Sequence, residues 1–214
     1  MNVAVVGANG KIGKHLIKLL QESEEFSPRA IVRKVEQAES FQKEGIQSSL
    51  IDLEGTVEHI AEGLDGAHAV VFTAGSGGNT GSDKTLLVDL DGAVKTMEAA
   101  KQAGVERFII VSAHQAHRRE NWNESLKPYY AAKHYADKAL EQSGLTYTII
   151  RPGGLLNEEG TGQVAAAENL SRGAISREDV AKTIFASLTE EKTYNTGFDL
   201  IAGNDSIEEA IKRI

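Results

Sequence analysis

The sequence predicts an α/β protein, a doubly wound parallel sheet of six or seven strands with a short C-terminal cap, read as one domain over residues 1–214. Three observations carry that expectation. Apolar runs of strand length alternate with stretches of helical period from the first residue to about residue 150; the connections between them are short; and three glycines fall where the first strand gives way to the first helix.

Taken in order, residues 2–6 form the first strand, and Ile12, Leu16, Ile17 and Leu20 then recur at the spacing that gathers apolar side chains on one face of a helix. Residues 29–32 and 47–51 form the second and third strands, and a helix over 57–62 leads to the fourth strand at 67–72. From 83 to 103 the apolar positions Leu86, Leu90, Val94, Met97 and Ala100 keep helical spacing, and Gly104 supplies the stop. Residues 108–111 are the fifth strand. A helix over 126–142 ends at Ser143-Gly144, and 147–150 is the sixth strand. After Pro152 the pattern loosens into a glycine-bearing stretch, followed by a helix from Arg177, a strand at 197–201 and a short helix at 207–213, which together read as a cap.

Composition narrows the function classes. A net charge of -8 argues against a surface that tracks nucleic-acid phosphates. The longest apolar runs, such as 69–72 and 108–111, fall far short of the roughly 20 residues that a membrane span requires. The chain enters its first strand at Asn2 without a basic segment and apolar stretch ahead of it, and it has no cysteine, so a cytoplasmic setting is expected. Neither nucleic acid nor membrane is expected as a partner. A small molecule is, with a homodimer or a regulatory protein partner left open.

The glycines Gly7, Gly10 and Gly13 form GxxGxxG in the run Gly7-Ala8-Asn9-Gly10-Lys11-Ile12-Gly13. Glycine lets the backbone turn sharply and approach a pyrophosphate, while the following helix N-terminus offers free N–H groups and a partial positive charge. Glycine serving geometry alone is the plainer alternative. The position after the very first strand of a βαβ series, where a Rossmann sheet binds dinucleotides, favours the phosphate reading. A Walker A loop would need a further glycine four residues before Gly10-Lys11 and Ser or Thr at Ile12, and a hydrolase elbow around Ser76 would need glycine at Ala74; the sequence has neither.

A site selective for NAD carries an acidic residue about 20 positions downstream, at the end of the second strand. Here that strand ends in Arg33-Lys34. A guanidinium pairs bidentately with a 2′-phosphate, and Lys34 or Lys11 would add charge, so NADP(H) is expected over NAD(H). The alternative is a solvated basic strand end.

At this point four motifs in order, Val6-Gly7 through Gly13, Val71-Phe72-Thr73-Ala74-Gly75, Tyr129 with Lys133, and Arg151-Pro152-Gly153, make the chain resemble the atypical, extended-type short-chain dehydrogenase/reductase family, including NAD(P)-binding epimerase-like proteins. The resemblance covers essentially the whole chain. It implies that Asp52 and Leu53 contact the adenine, Thr73, Ala74 and Gly75 the central ribose and phosphates, and Pro152, Gly153 and Gly154 the nicotinamide end. It also implies a tyrosine general acid/base and a lysine that bonds the nicotinamide ribose.

Tyr129 and Lys133 stand four apart on a helix and so share a face. A lysine cation near a phenol lowers its pKa from about 10, bringing phenolate chemistry closer to neutrality. The family usually adds a Ser or Thr after the fifth strand, commonly as the second of a Ser-Ser pair. This sequence reads Val111-Ser112-Ala113, leaving Ser112 as the candidate third member. Only residues 152–214 follow Arg151, where extended enzymes carry a larger substrate domain, so a small or shallow substrate pocket is expected.

Residues 113–127 hold His114, Gln115, His117, Arg118, Arg119, Asn121 and Trp122. They read either as a mobile lid whose arginines attract an anion or as a solvated loop anchored by one Trp. His114 and His117 lack a third ligand for zinc, so no metal is expected. Three functions stay open: an NADP(H)-dependent oxidoreductase or epimerase-like enzyme on a small carbonyl or hydroxyl compound, a non-enzymatic NADP(H) sensor acting through a protein partner, and a flavin reductase of the kind some small relatives resemble.

Overall fold

Alternate residues of the first strand divide between two cores. In a computed structural model, which describes residues 1–78 and 80–214, Val3 and Val5 of β1 (Asn2–Val6) join one apolar cluster while Ala4 and Val6 join the other. Such a strand is buried on both faces, as a parallel sheet covered by helices requires. The first cluster is completed by α1 (Lys11–Glu22), α2 (Val35–Lys43), α7 (Arg177–Ser187) and α8 (Ile207–Lys212), through Leu16, Phe41, Ile184 and Ile211. The second is completed by α3 (Val57–Leu64), α5 (Ala93–Gln102) and α6 (Lys127–Glu141), through Ile60, Met97 and Leu140.

Seven strands run parallel in the order β10-β6-β5-β4-β1-β2-β3. They are β2 (Ser27–Val32), β3 (Gln47–Leu50), β4 (Ala69–Phe72), β5 (Arg107–Val111), β6 (Thr146–Pro152) and β10 (Thr196–Ala202), with β1 between β4 and β2. The chain leaves β1 towards β2 and β3, then returns to its other side at β4. That reversal opens a crevice at the carboxyl ends of the strands, where this architecture binds ligands.

The expected cap is more regular than its sequence suggested. β8 (Gln163–Ala167) pairs antiparallel with β10, and β11 (Asp205–Ser206) pairs antiparallel with β8, extending the sheet to nine strands. β7 (Gly154–Leu156) and β9 (Ala174–Ser176) form a separate parallel pair. These strands are two to five residues long, with β7 exposed throughout, too short for an alternating pattern to stand out.

The helical stretch from 83 to 103 also differs in register. A short turn α4 (Ser82–Lys84) runs into a π-helical segment, Thr85–Gly92, before α5 resumes the ordinary period. The wider π turn rotates the buried face. Leu86 is therefore 55% exposed, whereas Asp89 is buried. No helix among the described residues is long and apolar enough to cross a membrane.

Candidate functional site

The glycine turn is built for close backbone approach. Gly7 has φ +84°, and a Cβ there would lie 2.7 Å from the Ala74 backbone; one on Gly13 would lie 2.5 Å from the Gly7 carbonyl oxygen. The Gly10 amide donates to that same oxygen at 2.8 Å. Gly10 caps α1 without a side-chain hydrogen bond, and the first turn contains no acidic residue. The helix end consequently presents unpaired N–H groups and an uncompensated partial charge, the conditions under which a phosphate binds. Ala8 is fully buried and packs into the core beneath the turn.

Three cavities follow one another along the crevice. The first, about 280 Å3, is lined by Gly7, Asn9 and Gly10, by Arg33, by Asp52 and Leu53, and by Thr73, Ala74 and Gly75. Thr73 ties the two central strands together, its hydroxyl donating to the Val6 carbonyl at 3.0 Å. Asp52 accepts the Glu54 amide at 2.9 Å, closing the turn after β3. Lys34 and Lys11 are not on this lining. Lys11 instead reaches across the crevice, where Asn157 Oδ1 accepts both its ammonium at 3.0 Å and the Arg177 guanidinium at 2.8 Å. Arg33 thus faces the first cavity without the lysines expected beside it, and the further pair of cations, Lys11 and Arg177, borders the second.

The second cavity, about 650 Å3, runs from Gly10, Lys11 and Ile12 past Thr73, Ala74 and Gly75 to Asp89, Ser112, Tyr129 and Lys133. A third of similar size, about 650 Å3, is lined by residues 112–115, Trp122, Tyr129, Tyr130, Pro152, Gly153, Gly154 and residues 170–173. Ser112 and Tyr129 line both. The third cavity is not small, as the short C-terminal segment left possible, and residues of β7 and of 170–173 form part of its lining.

Lys133 is 3% exposed. Its ammonium donates to the Val111 carbonyl at 3.1 Å, lies 3.5 Å from Asp89 Oδ1, and sits 5.9 Å from the centre of the Tyr129 ring. Asp89 in turn accepts the Ser76 amide at 2.9 Å, and a Cβ on Gly75 would come within 3.0 Å of its carboxylate. The Tyr129 phenol is pushed up from its usual pKa, which corrects the sequence expectation. Burial penalises the phenolate most, and the Lys133 cation offsets that only in part, with the Asp89 charge working against it.

Beneath this pair, Arg151 of β6 donates to Asp137 of α6 at 2.9 Å, both side chains buried. Burial raises the Asp137 carboxyl, while Arg151 and the nearby Ser112 hydroxyl draw it back down. Ser112 Oγ and Asp137 Oδ1 nevertheless make no hydrogen bond of good geometry. Arg151, part of the Arg-Pro-Gly motif, thereby fixes the helix that carries Tyr129 and Lys133 against the sheet.

The 113–127 segment is pinned rather than loose. Trp122 donates to the Ala116 carbonyl at 3.1 Å, stacks on Tyr130 with centroids 6.0 Å apart, and meets His134 edge-on. Arg119 bonds Tyr135 at 3.0 Å and Arg118 pairs with Glu120 at 3.7 Å, so neither arginine lines the cavity; Arg172 does. His117 bonds Asn169 at 2.9 Å while His114 faces Asp199, so the two histidines do not converge. Asp89, Asp137, Asp199 and the Asn157–Arg177 pair went unnoticed in the sequence. The one available signal was Asp89, an acid inside an apolar helix.

Residues 7–191 match the NAD(P)H-binding family. A Bacillus subtilis (strain 168) protein described as an uncharacterized sugar epimerase, YhfK, is 61% identical over 214 residues, covering 100% of both chains. Among solved structures, a putative NAD-dependent epimerase/dehydratase from Bacillus halodurans superposes with a TM-score of 0.93 at 37% identity, covering 100% of both chains. The oxidoreductase ylbE from Lactococcus lactis gives 0.91 at 35% identity, covering 100% of this chain and 96% of its own.

Proposed function

This chain belongs to the NAD(P)H-binding family, a group of Rossmann epimerases and reductases, and on that footing we propose that it is an NADP(H)-dependent oxidoreductase or epimerase-like enzyme acting on a small carbonyl or hydroxyl compound. The observation that carries the reading is Tyr129 at the junction of two cavities, with Lys133 fixed behind it by Val111 and Asp89.

The first two cavities suit a dinucleotide. Gly7 and Gly13 leave no room for a Cβ, and the start of α1 is uncapped by any side chain. Asn9 and Gly10 would hold the pyrophosphate, Asp52 and Leu53 the adenine, and Lys133 the nicotinamide ribose. Arg33 would bond a 2′-phosphate, supporting NADP(H) over NAD(H). When bound, the nicotinamide supplies or accepts a hydride.

Tyr129 then provides the matching proton. Its raised pKa keeps the phenol protonated near neutrality, the form that donates to a carbonyl oxygen as hydride arrives. Ser112, on both linings, would orient that oxygen. Pro152 and Gly153, on the lining of the third cavity, would border the nicotinamide end.

A second reading, a non-enzymatic NADP(H) sensor, draws on Leu86 and Leu87, exposed apolar residues on the same π-helical segment that carries Asp89. The two separate by a carbonyl-compound screen with NADPH. Turnover that falls in Tyr129→Phe supports the enzyme; nucleotide binding with no turnover by the unmodified protein supports the sensor.

A further inference from the structure

The third cavity contains another group able to move a proton. His114 follows β5, is 9% exposed, and lines the same cavity as Tyr129. Its Nε2 is shielded, has no hydrogen-bond partner, and lies 3.7 Å from Asp199 Oδ2. Asp199, on β10, is fully buried and accepts the Gln115 amide at 3.1 Å, the Gln115 side-chain amide, and the Leu170 amide at 3.1 Å.

One carboxylate therefore joins two segments that wall the cavity. Gln115 adopts φ 60°, a left-handed conformation that is unfavourable for a non-glycine residue and persists only where surrounding contacts impose it. The neighbouring His114 is held as well, its amide donating to the Pro152 carbonyl at 3.1 Å. A histidine that lines a cavity with its Nε2 3.7 Å from a buried carboxylate is suited to take a proton from a bound molecule, because the nearby negative charge favours the resulting cation.

We propose that His114, beside the buried Asp199 carboxylate, is a second proton-transfer residue of this cavity, and that the site takes small carbonyl compounds whose C–H bond beside the carbonyl it ionises. The proposal rests on the preceding reading only for the place of Tyr129 at the carbonyl oxygen. His114 removes the α proton, the C–H electron pair becomes the carbon–carbon double bond of an enolate, and the carbonyl π pair moves to the oxygen, whose negative charge the Tyr129 phenol stabilises by donating a hydrogen bond without giving up its proton. Return of a proton from the imidazolium to that carbon restores the ketone; no oxidant or reductant is consumed. The other titratable groups on this wall are Tyr130, Glu120 and Arg172.

The test is deuterium incorporation into hydroxyacetone and pyruvate in heavy water near neutral pH, without nucleotide, followed by proton NMR. The protein is expected to accelerate loss of the α-proton signal of at least one ketone. H114Q and H114N should each reduce that acceleration about 100-fold while still melting cooperatively. H117Q, at the histidine that bonds Asn169, should leave it unchanged. No acceleration by the unmodified protein, or acceleration retained in H114Q, overturns the proposal. Titrating the same proteins with NADPH keeps the two readings apart: exchange without nucleotide binding removes the oxidoreductase reading alone, and binding without exchange removes this one alone.

Discussion

Lys133 and Asp89 meet 3.5 Å apart at the back of the second cavity, with side chains only 4% and 3% exposed. Removing one member of a buried ion pair strands the other's charge, so Asp89→Ala should lower the unfolding free energy by about 3–5 kcal/mol. Asp89→Asn, which keeps an acceptor for the Ser76 amide, should cost less. Urea unfolding of both variants checks this, and a loss below about 1 kcal/mol in Asp89→Ala would mean that the pair does not fix the lysine.

The raised Tyr129 pKa has a definite sign. Reduction consumes the phenol proton, so its rate should stay level from about pH 6 to about pH 9 and fall only as the phenol ionises above its usual value of about 10. Oxidation needs the phenolate and should rise across the same range. Tyr129→Phe should lower kcat/KM by about 10²–10⁴-fold without weakening nucleotide binding. A reductive pH profile with a limb near neutrality that vanishes in Tyr129→Phe would contradict the raised pKa of the phenol, and an unchanged kcat/KM in Tyr129→Phe would contradict its proton-transfer role.

Gly13→Ala places a Cβ 2.5 Å from the Gly7 carbonyl oxygen, a contact with backbone that no rotamer relieves. The turn and α1 must separate, costing about 1–3 kcal/mol of stability. Nucleotide affinity should fall at least about tenfold, or ~1.4 kcal/mol. Thermal unfolding and fluorescence titration with NADPH measure the two effects.

Arg151 and Asp137 are the corresponding lock between sheet and helix. Asp137→Ala should destabilise by about 3–5 kcal/mol by stranding a buried guanidinium. Gly197→Ala should also destabilise, by about 1–3 kcal/mol, since its Cβ would press to 2.8 Å from the Arg151 guanidinium nitrogens. A stable Gly197→Ala protein would show that Arg151 has room to move.

Much of this arrangement was legible in the sequence because local signals agreed with the fold. The glycine spacing after Val6 marked the turn between β1 and α1, and the strand periodicity marked six of the seven parallel strands, while β10, expected in the cap, pairs parallel with β6 as the seventh. Helix α2 escaped notice because Phe41 is its one buried residue and Val35 at its start is 55% exposed, leaving no apolar stripe. The face containing Asp89 was hidden by the π turn, which shifts every later position relative to Leu86. Lys11 was expected to add charge near Arg33, whereas it bonds Asn157, 146 positions away. Contacts of that range, like His114 with Asp199, come from tertiary packing and leave no periodic trace.

The most direct measurement is calorimetric titration of the protein with NADPH and with NADH, repeated on Arg33→Ala. NADPH should bind at least about tenfold more tightly than NADH, and Arg33→Ala should remove most of that difference, consistent with a charge-assisted bond of about 1.5–3 kcal/mol. Equal binding of both nucleotides would contradict the role of Arg33, and no binding of either would contradict the central reading of the glycine turn as a dinucleotide site.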